Sequence, residues 1–184
     1  NYSIPAWNGP LAEQDVTRLK ANYRAWREAA RYSQIGIPFE SNGKSAKAVP
    51  ADEREREYES AWADGGFNFV MAYPDILTDI DSNRTAAEFV ERKIREVVKD
   101  PVVADRLTPK DHPLGTKRLC IDTGYYETFN RKNVTLVDIR EAPIEAITAE
   151  GVRTRDAHYD LDVIVFATGF DAITGPLLKI DIRG

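Results

Sequence analysis

Apolar residues recur through the first hundred positions at alternating steps of three and four, the period of one helix face. From Leu11 onward, Val16, Leu19, Tyr23, Trp26 and Ala30 form one such stripe. The pattern breaks over residues 33–50, where Gly36, Pro38, Gly43 and Pro50 mark a long connection. A second helix is expected just after Pro50. Its opening run from Asp52 to Glu59 sets Asp52 and Arg56 at helical spacing as a charge pair, and Gly65-Gly66 ends it. Phe67 to Leu77, rich in aromatics and broken by Pro74, predicts a short buried turn of helix. Ser82 is the expected N-cap of a third helix, with Ala86, Phe89, Val90, Ile94, Val97 and Val98 on one face. Asp100-Pro101 interrupts it, and Val102 to Leu107 adds one more turn. Residues 1–10 hold two prolines and a glycine and read as an irregular lead-in.

After His112-Pro113 the period changes. Tyr125 to Asn130 predicts a short helix, while Val134 to Ile139, Ile144 to Thr148 and Leu161 to Phe166 predict strands, with Glu150-Gly151 as a hairpin turn. Val163 to Phe166 is apolar at successive positions, as a strand covered on both faces would be. The sequence thus reads as a mainly helical part followed by a partial α/β part.

Composition narrows the classes. With 184 residues, 42% hydrophobic, the chain is long enough for one domain or one and a half. Thirty acidic against 25 basic residues, a net charge of -5, argue against general nucleic-acid or membrane-surface binding, both of which need a basic face. No apolar run approaches the ~20 residues that span a bilayer, and nothing at the start resembles a signal peptide. The single cysteine, Cys120, excludes an internal disulfide and fits a reducing, cytoplasmic setting.

Little of the chemical inventory suggests a site. Two histidines, His112 and His158, and one cysteine give no metal-ligand spacing, and no local pattern suggests a hydrolytic triad. The carboxylate pairs lie in helical charge runs and read as solvated faces. Trp26, Trp62 and Tyr23, at helical spacing, read as core, and Cys120 as a small half-buried apolar residue. Two features remain. Lys117-Arg118, which alone would be a surface pair, follows a Gly115-Thr116 turn and precedes the aromatic cluster Tyr125-Tyr126-Glu127-Thr128-Phe129. Ala167-Thr168-Gly169-Phe170 ends an apolar run in small residues, which lets backbone approach a ligand at the carboxyl end of a strand.

The segment from Gly115-Thr-Lys-Arg118 to Asn130-Arg131, together with Asp162-Val-Ile-Val-Phe-Ala-Thr-Gly-Phe-Asp171, resembles the type I Baeyer–Villiger monooxygenases. Asn1-Tyr-Ser-Ile-Pro5 is similar to the stretch that leaves their NADPH-binding domain. The resemblance implies an α/β parent with two nucleotide-binding, Rossmann-like domains. Residues 1–112 would be the helical insertion of the NADPH-binding domain, 113–170 the C-terminal part of that domain, and 171–184 the start of the return to the FAD domain. It implies FAD and NADPH as cofactors, a small-molecule ketone and O2 as substrates, and an ester or lactone product. The remainder of the parent chain is the implied partner.

Carried onto this sequence, Lys117 contacts the 2′-phosphate that separates NADPH from NADH, and Arg118 reaches the flavin and the nicotinamide as the catalytic cation. Thr168, Gly169 and Phe170 are expected near cofactor, and Tyr125 and Tyr126 are expected to pack beneath the cofactor loop. The sequence also departs from the family. No G-x-G-x-x-G appears, so neither pyrophosphate loop is present, and the fingerprint between those loops is missing. By this reading the chain is an internal fragment that holds no flavin tightly and is inactive alone. Two alternatives stay open: a flavin-containing monooxygenase that oxidises nitrogen or sulfur, and a non-catalytic helical interaction module.

Overall fold

A computed structural model describes residues 1–6, 9–33, 36–39, 41–169 and 174–183. Two compact units divide the chain, Asn1–Leu136 and Val137–Gly184.

The first unit is helical around one short parallel strand pair. Strand β1 (Ser3–Pro5) precedes helices α1 (Glu13–Ala21), α2 (Tyr23–Tyr32), α3 (Ala51–Asp64), α4 (Asn68–Met71), α5 (Ile80–Val97) and α6 (Pro101–Leu107). Strand β2 (Cys120–Asp122) and helix α7 (Tyr125–Thr128) follow. β1 and β2 pair in parallel, with Ser3 opposite Cys120, Ile4 opposite Ile121 and Pro5 opposite Asp122. The expected irregular lead-in is therefore a strand, because its partner lies over a hundred residues on and leaves no local signal. Pro5, which has no N–H, is tolerated because β1 is an edge strand with one neighbour among the described residues.

α3 follows its sequence signals closely. Pro50 precedes it, Asp52 and Glu53 in the first turn favour the positive end of the helix, and Gly65 ends it at φ +67°. The Arg56–Asp52 pair forms at 2.9 Å, with both side chains exposed. α5 begins earlier than expected. Asp79, not Ser82, is its cap: the Asp79 carboxylate accepts from the amides of Asp81 at 3.1 Å and Ser82 at 3.0 Å. Ser82 lies fully buried inside the helix, where its Oγ donates to Asp75 Oδ2 at 2.7 Å. Asp100 caps α6 in the same way, with Pro101 in its first turn.

Aromatic rings from α3, α4 and α5 fill the core. Phe69 stacks on Phe89 at 5.3 Å, and Tyr58 and Trp62 meet both rings at 5.3–5.6 Å. The Tyr58 hydroxyl bonds Thr85 Oγ1 at 2.7 Å, and burial pushes Tyr58 up to about 12. The expected apolar face of α5 is present, with Ala86, Phe89, Val90 and Ile94 buried.

The stripe on the first helix behaves differently. α1 and α2 are separate helices parted at Asn22, and neither buries a residue. Trp26 and Tyr23 are exposed, not core, since among the described residues no element covers them.

The second unit is a three-stranded antiparallel sheet in the order β3 (Ile144–Ile147), β4 (Gly151–Thr154), β5 (His158–Asp160), followed by the single-turn helix α8 (Gly175–Leu178). The Glu150-Gly151 turn falls where the sequence places it. The two other expected strands are not formed. Residues 134–139 and 161–166 are irregular, and Val163, Val165 and Phe166 are 75%, 82% and 66% exposed. A strand needs a neighbour for its backbone N–H and C=O groups, and among the described residues neither segment joins a sheet, although the Leu161 amide donates to the Glu150 carbonyl.

Candidate functional site

The turn that carries Lys117 and Arg118 is fixed from several sides. Asn83, buried on α5, accepts from the Leu114 amide through Oδ1 at 3.1 Å and donates through Nδ2 to the Leu114 carbonyl at 2.8 Å. The same Nδ2 donates to the Ile76 carbonyl at 2.9 Å. Gly115 follows at φ +84°, a backbone conformation that favours glycine, and a Cβ there would also press on the flexible end of Leu77 at 2.6 Å. The Thr116 amide then donates to the Pro113 carbonyl at 3.2 Å.

On the other side, Asn1 Nδ2 donates to the Arg118 carbonyl at 2.7 Å, and Leu119 is buried as the chain enters β2. Beyond β2, the Ala6 amide donates to the Asp122 carbonyl and the Tyr125 amide donates to Asp122 Oδ1 at 2.5 Å, which starts α7. Asn130, the end of the family-like segment, closes on the C-terminus of α5. Its Nδ2 donates to the Val97 carbonyl at 2.8 Å, and its Oδ1 accepts from the Lys99 amide at 2.9 Å.

Lys117 and Arg118 therefore sit on held backbone with free side chains. Both are exposed. The Arg118 guanidinium makes no hydrogen bond or ion pair among the described residues, and the Lys117 ammonium has one neighbour, Asp111 Oδ2, at 3.7 Å. Asp111 Oδ1 meets His112 Nδ1 at 2.5 Å. That hydrogen bond, and next the Lys117 charge, hold the Asp111 carboxyl below the ordinary range. The His112 side chain is 7% exposed, stands edge-on to Tyr2 at 5.6 Å, and has an unpartnered Nε2. An open cavity of about 720 Å³ lies beside it, bordered also by Asn83, Arg84, Glu91 and Arg95.

Of the other expected site residues, Thr168 and Gly169 lie in the second unit, exposed, with Gly169 at φ +83°. Phe170 lies outside the described residues. Cys120 is an exposed free thiol, not half-buried. Both tyrosines pack, but only Tyr126 is buried, which pushes it up to about 12; Tyr125 is half exposed and meets the Tyr126 and Phe129 rings edge-on at 5.3 and 5.2 Å. Among the described residues no cluster of His, Cys, Asp or Glu could hold a metal, and no helix is long and apolar enough to cross a membrane. Asn83, Asp111, His112 and Asn130 were not legible as site-shaping residues, although Asp111 and His112 stand only a few positions before Lys117.

No family model matches the chain. Individual proteins match it along its whole length. It is 45% identical over 185 residues to a 2-oxo-Delta(3)-4,5,5-trimethylcyclopentenylacetyl-CoA monooxygenase of Pseudomonas putida, covering 100% of this chain and 34% of the relative. It is 40% identical over 186 residues to a Baeyer-Villiger monooxygenase of Pseudooceanicola batsensis, again 100% of this chain and 34% of the relative. The chain is a homologue of one segment of the Baeyer–Villiger monooxygenases. It spans about a third of the length of the relatives it matches.

Solved structures of the family agree in fold. An OTEMO complex with FAD and NADP superposes with a TM-score of 0.93 at 45% identity, over 100% of this chain and 34% of that one. An oxidized steroid monooxygenase bound to NADP gives 0.91 at 53% identity, over 98% and 34%. A phenazine N-monooxygenase of Lysobacter antibioticus is 39% identical over 186 residues, 100% of this chain and 34% of the relative.

Proposed function

We propose that the polypeptide carrying this chain is an FAD- and NADPH-dependent monooxygenase that inserts one oxygen atom beside a ketone carbonyl to give an ester or lactone. The observation that carries this reading is the exposed Lys117-Arg118 pair on a clamped turn, within a chain homologous to such enzymes along its whole length. The α1–α6 region would be the helical insertion of the NADPH-binding domain. Residues 113–170 would belong to that domain's C-terminal part and 171–184 to the return toward the FAD domain, within a parent of two Rossmann-like domains. The exposed apolar run at 163–166 suits a strand whose neighbours belong to that parent sheet. The exposed thiol of Cys120 suits a reducing, cytoplasmic compartment.

The donor set fits a polyanionic nucleotide. Two adjacent cations, one unpaired and the other in a loose pair, leave N–H donors available for phosphate and for anionic oxygen. FAD and NADPH, when bound, supply the reducing equivalents and activate O2. Lys117 holds the 2′-phosphate with a compact ammonium, which suits a point-charge contact. Arg118, planar and always charged, donates hydrogen bonds to negative oxygen that develops during insertion, as the donors of an oxyanion hole do. Backbone fixed by Asn83 and Asn1 keeps both side chains aimed without reordering the turn. Thr168, Gly169 and Phe170 are assigned to the cofactor's surroundings, without a chemical step.

The test is product analysis of the complete polypeptide with NADPH, O2 and a panel of cyclic and aryl ketones. Ester or lactone is expected. Oxidation of NADPH without any ester or lactone would overturn the reading. N-oxidation is the second reading, favoured by the similarity to a phenazine N-monooxygenase. It is separated by including a phenazine in the panel. For the cations, Arg118→Ala should abolish ester formation while flavin reduction continues. Lys117→Ala should raise the NADPH requirement far more than the NADH one.

A further inference from the structure

Asp111 has two oxygens with different duties. Oδ1 is taken by His112 Nδ1 at 2.5 Å, and Oδ2 faces the Lys117 ammonium at 3.7 Å. The imidazole that holds the carboxylate is itself fixed, being buried and set edge-on against the Tyr2 ring at the start of β1. Tyr2 in turn is tied to the sheet, since its carbonyl accepts from the Cys120 amide at 3.3 Å. The carboxylate is thus a stationary negative charge beside the cation assigned to the 2′-phosphate.

We propose that Asp111 is a built-in competitor that shares the Lys117 ammonium with an incoming 2′-phosphate and so weakens and tunes its grip. The proposal rests on the reading of Lys117 as the phosphate ligand. Three observations favour competition over simple support. At 3.7 Å the pair is too long for a hydrogen bond, so Asp111 does not lock the ammonium in one place. Both side chains are more than half exposed, so the pair is weak and readily exchanged. With Oδ1 anchored by His112, the carboxylate cannot swing away as the phosphate arrives, and the two anions repel across a short distance.

Calorimetric titration of the complete, FAD-loaded polypeptide with adenosine 2′,5′-bisphosphate, and with adenosine 5′-monophosphate as the probe lacking the 2′-phosphate, tests this without turnover. Asp111→Asn keeps an acceptor for His112 but removes the charge. It should bind the bisphosphate roughly two- to fivefold tighter, the span expected of an exposed ion pair, and bind the monophosphate unchanged. The gain should shrink as salt is raised. Asp111→Glu, which retains the charge, should show no gain. Unchanged or weaker bisphosphate binding by Asp111→Asn overturns the proposal. Lys117→Ala separates the two claims. If it leaves the preference for the bisphosphate intact, the phosphate role of Lys117 fails and the proposal with it. If it abolishes that preference while Asp111→Asn gains nothing, only the role of Asp111 fails.

Discussion

The Asn83 side chain grips the main chain of Leu114 at both ends, accepting from its amide at 3.1 Å and donating to its carbonyl at 2.8 Å. This joins α5 to the turn that presents Lys117 and Arg118, and a third bond, to the Ile76 carbonyl, binds the α4–α5 connection to the same residue. All three bonds are buried or close to it, so their loss leaves main-chain groups unpaired where water enters poorly. Each such group costs about 1–3 kcal/mol, and Asn83→Ala should cost about 3 kcal/mol in all. A urea titration checks it: a midpoint unchanged from wild type would mean that Asn83 does not hold the turn.

Gly115 is the next element of that turn. An alanine there would have to adopt φ +84°, at about 1–2 kcal/mol, and to move the end of the Leu77 side chain. Leu77 is exposed and able to give way, so the backbone term dominates. Gly115→Ala should therefore lower stability modestly and weaken nucleotide binding more than a surface alanine elsewhere. Substitution of the neighbouring, exposed Thr116 by alanine is the control. Equal binding losses in the two variants would show that the conformation of Gly115 does not matter.

What could be read from the sequence follows from the range of the interactions. α3, α5 and α6 declare themselves because a helix is built from contacts three and four residues apart, and because Pro50, Gly65, Asp100 and Pro101 punctuate them locally. β1 and β2 are three residues each and pair across the whole helical region, so no window of sequence contains both. The apolar run at 163–166 has the composition of a covered strand without neighbours among the described residues, and composition reports only the preference. The cationic pair at 117–118 stands out from ordinary surface only through its family pattern. Asn83, Asn130 and the Asp111-His112 pair look like ordinary polar surface in the sequence, and only the fold turns their side chains onto the backbone or the charge they control.

Asp75 gives the first unit a dependence on pH. Burial alone would raise its carboxyl, but hydrogen bonds from Ser45 Oγ, Ser82 Oγ and the Ala46 amide outweigh it and leave the group below the ordinary range. A carboxyl whose folded value is the lower one stabilises the fold fully above its unfolded value. That contribution is lost as pH falls through the folded value. Asp75→Asn should therefore be less stable than wild type at neutral pH, and the gap should close as pH falls below about 4. Denaturant titrations at neutral and acid pH decide it, since a gap that stays constant would remove Asp75 as a source of acid sensitivity.

Gly151, which the sequence marks as a turn residue, serves close approach between strands in the structure. Its φ is not in the left-handed region; what excludes a side chain is the facing strand. A Cβ would lie 1.9 Å from the Tyr159 carbonyl oxygen, 2.9 Å from its carbon and 3.1 Å from the Leu161 nitrogen, all of them main chain. Backbone cannot rotate aside as a side chain can, so Gly151→Ala must push β4 from β5 or move the turn, at a cost of about 1–3 kcal/mol typical of overpacking. The bond from the Leu161 amide to the Glu150 carbonyl, at 2.9 Å, lies at the point of separation. Amide hydrogen exchange should speed up at Leu161 in Gly151→Ala, and less at Thr154, whose amide bonds Ala157 at the far end of the hairpin. Equal protection of Leu161 in both proteins would mean that the strands accommodate the methyl group without parting.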